Sequence, residues 1–98
     1  MIVYDLEVLT ADDNLVTFDR GYLYHHNDED FQSWEVELLL TNDDSLIQSL
    51  MDKQEHVKLK MGTTNGQSFI GMSLITKYKF GPLGSEVLLT GSGELREV

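Results

Sequence analysis

Cysteine is absent from this 98-residue sequence, proline occurs once, and the seven Lys and Arg are outnumbered by seventeen Asp and Glu. Without cysteine the chain can form neither a disulfide scaffold nor a thiolate zinc site. Scarce basic side chains disfavour direct binding to nucleic acid, which requires clustered Lys and Arg against the phosphates. Apolar runs reach only three or four residues, far short of the roughly 20 needed to cross a bilayer.

The remaining composition predicts one domain over residues 1–98, because this length supports a single modest core. Residues 1–8 lack the basic start of a signal peptide. We therefore expect an intracellular protein, or one exported without a cleaved leader.

The acidic residues are unevenly distributed. Residues up to Ser49 include twelve acids and only Arg20 as a base, a net charge of −11, whereas residues from Leu50 carry five acids and six bases, a net of +1. A uniformly acidic surface would only aid solubility. An acidic half beside a nearly neutral one indicates a molecule with two different faces.

Alternating apolar residues predict three strands before the helix. The first covers residues 2–10, a second runs from Val16 past Gly21, and the third covers Ser33–Thr41. The side chains predicted to point inward are Ile2, Tyr4, Leu6 and Val8, then Val16, Phe18, Tyr22 and Tyr24, then Trp34, Val36, Leu38 and Leu40. Residues 25–30 are polar and charged, so we expect an exposed loop there.

A helix is predicted from Asp43 to Gln54, where Leu46, Ile47, Leu50 and Met51 recur on one helical face. The strand His56–Met61 follows, and Asn65-Gly66 indicates a two-residue hairpin turn. That turn would pair Met61 with Ile70, Leu59 with Met72, and Val57 with Leu74.

The last hairpin turns at Gly81-Pro82-Leu83-Gly84. Its register would place Phe80 opposite Ser85, Tyr78 opposite Val87, Thr76 opposite Leu89 and Ile70 opposite Leu95. The predicted fold is therefore mainly β: a small antiparallel β-barrel or sandwich of about six strands, with one short α-helix between the third and fourth strands.

Candidate sites for chemistry are few. His25 and His26, followed by the acidic residues 28–30, are weak candidates for metal ligands, because zinc requires three or four converging groups. Glu35 and Glu37 share a strand face, as exposed charges on strands routinely do. His56 is expected to be structural. No nucleophile motif is present, so we expect no enzymatic activity, no cofactor and no resident metal.

The aromatic residues Tyr22, Tyr24 and Trp34 are typical of ordinary sheet packing. They could also form a base-stacking platform like that of OB-fold proteins, whose strand order is similar. Such a platform needs a basic groove, whereas these three residues lie in the acidic half.

The C-terminal half carries a series of spaced features: a helix over Leu46–Met51, a strand over Val57–Met61, Phe69-Ile70-Gly71, a turn at Pro82, and Gly91-Ser92-Gly93-Glu94-Leu95. In these features the chain resembles the tail tube proteins of long-tailed phages and the related Hcp tubes of type VI secretion. The matching motif residues are Gly71, Pro82, Gly91, Gly93 and Leu95.

The resemblance implies a barrel-plus-helix subunit of hexameric rings, located in the virion or the bacterial cytoplasm, with other tail or injection-apparatus proteins as partners. An acidic lumen would repel DNA rather than bind it. Interface candidates are Lys58, Lys60, Lys77 and Lys79, expected to form one basic face that could meet acidic residues of a neighbour, for which Glu35 and Glu37 are candidates; as solvated lysines they would only protect exposed or edge strands. The alternative is a monomeric acidic, OB-like module that binds a basic protein.

Overall fold

The computed structural model describes residues 1–28, 31–41, 44–53 and 56–98. In order along the chain, its elements are β1 (Ile2–Ala11), β2 (Asn14–Leu15), β3 (Arg20–Asp28), β4 (Phe31–Thr41), α1 (Asp44–Lys53), β5 (Val57–Thr63), β6 (Ser68–Lys79), β7 (Ser85–Gly91) and β8 (Arg96–Glu97). The two-residue strands β2 and β8 extend the pairing of β1 and β6.

The six longer strands close into an antiparallel barrel in the order β1-β3-β4-β7-β6-β5, with β5 pairing back to β1. Two three-stranded meanders build this barrel: β1, β3 and β4 form the first, and β5, β6 and β7 form the second. They meet along two seams, β4 against β7 and β1 against β5. The predicted mainly β fold is confirmed, with α1 between the third and fourth long strands.

The barrel interior is filled by alternate side chains of the long strands. The sequence correctly predicts that Trp34, Val36 and Leu38 of β4 and Val57, Leu59 and Met61 of β5 are buried. From α1, Ile47 and Leu50 join the same core cluster, whereas Met51 is exposed. The helix therefore contributes one narrow apolar stripe to the core. The predicted helix ends, Asp43 and Gln54, lie outside the described residues.

Trp34 joins the two meanders at one end of the core. Its ring lies against Gly71 of β6 and Gly91 of β7, where an added Cβ would come within 2.6 Å and 2.2 Å of the indole. Its Nε1 donates a hydrogen bond of 3.1 Å to the Gly93 carbonyl. Larger residues at either glycine would displace the ring, so both glycines are explained by this packing.

The register predicted for the β5–β6 hairpin is wrong by one residue. Met61 pairs with Phe69, and Leu59 with Gly71. The turn has three residues rather than two: Gly66 N donates to Thr63 O, and Gly66 has a φ of +90°, as in a type I turn followed by a G1 bulge.

A one-residue slip moves every side chain to the other face. Phe69 and Ser73 are therefore buried, whereas Met72 and Leu74, predicted to be internal, are 41% and 38% exposed. The strand thus presents apolar side chains to the outside of the barrel.

Irregularities in three strands, β1, β4 and β6, correct other predictions. A register shift in β1 between Leu6 and Val8 exposes Val8, and Ile2 is also exposed rather than internal. In β4, a shift after Leu38 and a positive φ of 58° at Leu40 turn that side chain outward. These are the bends expected of β-bulges in a closed barrel.

The third irregularity lies in β6, where the register shifts between Ile75 and Lys77. Leu89 therefore pairs with Ile75 instead of the predicted Thr76, while the predicted pair of Tyr78 with Val87 is confirmed. At the start of the same strand, Ile70 pairs with Arg96 of β8 and not with Leu95.

Strand β3 also differs from the prediction. Leu23 is its fully buried residue, so Tyr22 and Tyr24 point outward. The strand continues through Asp28, which places His25 and His26 within β3, paired with Trp34 and Ser33, instead of in a loop. Glu29 and Asp30 lie outside the described residues. Among the described elements, no helix has the length and apolarity needed to cross a membrane.

Candidate functional site

The outer surface of β3 and β4 carries paired tyrosines and glutamates. Tyr22 lies directly opposite Glu37, and Tyr24 opposite Glu35. All four side chains are half-buried, and they share one side because their strand neighbours Leu23 and Val36 point inward. We name these four residues the acidic face.

The tyrosines order this face. The Tyr24 hydroxyl donates a hydrogen bond of 3.1 Å to Glu37 Oε1, and the rings of Tyr22 and Tyr24 are 6.3 Å apart at a tilt of 41°. The pKa of Tyr24 is raised above its ordinary value of 10.0, first by partial burial and then by the bond to Glu37 and the nearby negative charges. Tyr24 therefore remains a neutral donor at neutral pH.

The outer surface of β5 and β6 pairs lysines with aliphatic side chains. Lys58 lies opposite Met72, and Lys60 opposite Ile70. We name these four residues the lysine face. Lys60 Nζ is 3.5 Å from Asp13 in the β1–β2 turn, an exposed ion pair that contributes about 1 kcal/mol or less. Such a pair can exchange partners at little cost.

The two faces lie on opposite sides of the barrel. In the ring of six strands, β3 is three positions from β6, and β4 is three positions from β5. Strands so separated lie across the axis of a closed barrel from one another. One molecule therefore presents glutamates beside tyrosines on one side and lysines beside aliphatic groups on the other.

Lys77 and Lys79 do not belong to the lysine face, which corrects the single basic face expected from the sequence. They follow the irregularity in β6, where the strand pairs with β7: Lys77 lies opposite Leu88, and Lys79 opposite Glu86. Leu88 also pairs with Glu37 on its other side. Lys77 and Lys79 therefore border the acidic face, along an open groove of about 540 Å³ that Glu37 and Glu86 also line.

A second groove, of about 480 Å³, crosses β1, β5 and β6 above Gly62. We name it the Gly62 groove. Its apolar walls are Val8, Ile70 and Val98, and Lys60 and Thr10 stand at its side. The lack of a side chain at Gly62 creates the depression, and an added Cβ would lie 2.8 Å from Val8 Cγ1. Sequence reasoning missed this groove, because it depends on the β1 irregularity and the corrected β6 register.

The two histidines proposed as weak metal candidates occupy consecutive positions in β3, and consecutive strand residues point to opposite sides of a sheet. Within the described ranges, no three His, Asp or Glu side chains gather as a metal site would require. His25 and His26 are therefore not brought together as a ligand pair by the backbone.

His56, expected to be structural, accepts or donates a hydrogen bond of 2.8 Å with the Ser92 hydroxyl. The contact links the entrance of β5 to the turn after β7, and both side chains are exposed. The sequence carried no signal for this pair, which is 36 residues apart.

The motif residues that suggested a tube family mostly converge on Trp34. Gly71 and Gly91 contact its ring, and the Gly93 carbonyl accepts its hydrogen bond. Leu95, which follows Gly93 closely in the sequence, is buried in the core. Pro82 is separate from them, in the exposed β6–β7 turn. Core packing therefore explains the spacing of the other four motif residues. No family model matches the chain, and neither the curated proteins nor the solved structures include a match.

Proposed function

We propose that this chain is a non-enzymatic structural subunit that associates with copies of itself head to tail, in the manner of phage-tail and injection-tube subunits. The observation that carries the proposal is the pair of complementary faces on opposite sides of one barrel. Such a surface suits repeated contact between identical subunits better than it suits catalysis.

The chemistry of the two faces supports their contact. Glu35 and Glu37 of one copy would meet Lys58 and Lys60 of the next, while the tyrosine rings would cover the aliphatic side chains between the lysines. Opposite charges set the orientation and speed of association. Buried tyrosine and aliphatic surface contributes most of the affinity, as aromatic anchors do at protein interfaces.

A contact between different surfaces of the same chain is heterologous. It produces a closed ring if the rotation between neighbours closes, and an open filament if it does not. By the resemblance of the C-terminal half to tube proteins, we propose the ring, with other components of a tail or injection apparatus as further partners, in a virion or in the bacterial cytoplasm. The excess of acidic residues before Ser49 would keep such a ring from binding nucleic acid.

Native mass spectrometry and light scattering of the wild-type chain, at increasing concentration, test this proposal. We expect ring-sized species that the double variant Lys58→Glu/Lys60→Glu no longer forms. Gln48→Glu/Ser49→Glu is the control, because it also makes the surface more negative but lies at exposed positions of α1, outside both faces and outside the Gly62 groove. A wild-type chain that remains a strict monomer, or two double variants that behave alike, would contradict the proposal.

The second candidate function is a monomeric acidic, OB-like module that binds a basic protein. The ordered acidic face favours it, since Tyr24 holds Glu37 ready to accept a cationic partner. Recovery of a basic protein in a one-to-one complex, lost in Glu35→Lys/Glu37→Lys, would support this function over self-association.

A further inference from the structure

The turn between β6 and β7 presents large apolar side chains to solvent. Phe80 is 70% exposed and Leu83 84% exposed, and Pro82 lies between them. The turn is closed by a hydrogen bond from Gly84 N to Gly81 O, and Gly84 packs so closely on Leu40 that a Cβ there would lie 2.9 Å from Leu40 Cα. The apolar tip is therefore held in place against the barrel, although no described residue of the same chain covers it.

The Gly62 groove offers a complementary surface. Its volume of about 480 Å³ lies within the range of roughly 300–1,000 Å³ typical of ligand pockets, so it has room for two apolar side chains. Thr10 Oγ1, at the groove wall, is shielded from water and makes no hydrogen bond with any described residue. Rotation of the Thr10 side chain would bring this hydroxyl to a backbone N–H or C=O of a bound chain, and so supply the partner that buried polar groups normally have.

We propose that the Phe80–Leu83 turn of one copy occupies the Gly62 groove of another copy. A chain cannot fill its own groove, because Phe80, directly after the end of β6, follows Ile70 by ten residues, a distance of about 33 Å at roughly 3.3 Å per residue. The turn and the groove therefore lie at opposite ends of β6, so the same contact can repeat from one copy to the next.

Charge complementarity supports a second copy as the occupant. Lys79 and Glu86 face each other at the base of the turn, and Lys60 and Asp13 form an ion pair beside the groove. Docking would bring Lys79 towards Asp13 and Glu86 towards Lys60, two pairs of opposite sign. This inference rests on the proposed self-association, and it adds a contact along β6 to the contact between the acidic and lysine faces.

Cysteine cross-linking tests the inference cleanly, because the wild-type chain has no cysteine. Leu83→Cys is mixed with Val8→Cys and oxidised, and the heterodimer is followed on a non-reducing gel. The matched control mixes Leu83→Cys with Ser49→Cys, an exposed position on α1 outside the groove. We expect the heterodimer with Val8→Cys to form at least about tenfold faster, since docking raises the effective thiol concentration to the millimolar range.

If the wild-type chain assembles but the two cross-linking rates are equal, the docking of the turn is overturned and the proposed function stands. A wild-type chain that is strictly monomeric would overturn both. Phe80→Ser/Leu83→Ser provides a second measurement: both side chains are exposed, so the fold should persist while the largest assemblies are lost. Assemblies of unchanged size in that variant would also overturn the inference.

Discussion

The two meanders of the barrel are alike inside and different outside. Each contributes alternate aliphatic residues to one core, as Val36 and Leu38 do from the first and Val57 and Leu59 from the second. On the outside, the first presents glutamates beside tyrosines, and the second presents lysines beside aliphatic groups. Folding requires only the shared interior, and the difference outside is the feature that the proposed self-association would use.

The largest effect on stability is expected in the interior, because Trp34 of the first meander packs on glycines of the second. We expect Trp34→Ala to lower the free energy of unfolding by about 3–5 kcal/mol, and both meanders to unfold in one transition. Urea unfolding followed by circular dichroism measures this. Phe80→Ala is the control, since the loss of an exposed side chain should cost less than about 0.5 kcal/mol. Two separate transitions, or a cost at Trp34 similar to that of the control, would contradict the shared core.

The next effect is confined to the second meander. Gly66 has a φ of +90°, so Gly66→Ala should cost about 1–3 kcal/mol in backbone strain and weaken the hairpin that carries the lysine face. Gly66→Asn is the control, because asparagine tolerates a positive φ and should cost less. Thermal unfolding of the two variants compares them. Equal costs would show that the positive φ at Gly66 does not determine the stability of this turn.

The smallest effect concerns the acidic face. The folded chain holds the Tyr24 phenol proton more tightly than the unfolded chain, because the pKa of Tyr24 is raised by burial and by Glu37. Its contribution to stability is therefore complete below the ordinary pKa of about 10 and is lost as the pH rises through the raised value. At neutral pH, Tyr24→Phe should cost about 1 kcal/mol through the lost hydrogen bond.

Stability measured by urea unfolding from pH 8 to 11 tests this dependence. The wild type should lose more stability than Tyr24→Phe across the alkaline range, so that the two curves converge. Glu37→Gln keeps an acceptor for the hydroxyl but removes the charge, and should show an intermediate slope. Parallel curves for wild type and Tyr24→Phe would contradict the coupling.

Much of the architecture could be predicted from local sequence. The alternation around Trp34 and Leu59 predicted the inward faces of β4 and β5, and Leu50 marked the buried side of α1. The pair of Tyr78 with Val87 was correct. These features depend on periodicity within a single element, which neighbouring residues determine.

The candidate surfaces depended on features that periodicity does not encode. The three-residue turn at Gly66 moved Met72 to the outside, and Lys77 lies beyond the part of β6 that pairs with β5, opposite Leu88 of β7 and away from Lys58. Apolar residues stand on both sides of β6, so its alternation alone left the inward side open to misassignment. The opposition of the two faces follows from the seams that close the barrel, which involve residues far apart in the chain.

The most direct test of head-to-tail association mixes two variants that each carry one reversed face. Lys58→Glu/Lys60→Glu and Glu35→Lys/Glu37→Lys should each remain monomeric, because like charges then meet across the contact. Mixed in equal amounts, they should assemble alternately into species of wild-type size, as measured by native mass spectrometry. If the mixture stays monomeric while the wild type assembles, the acidic and lysine faces do not bind each other.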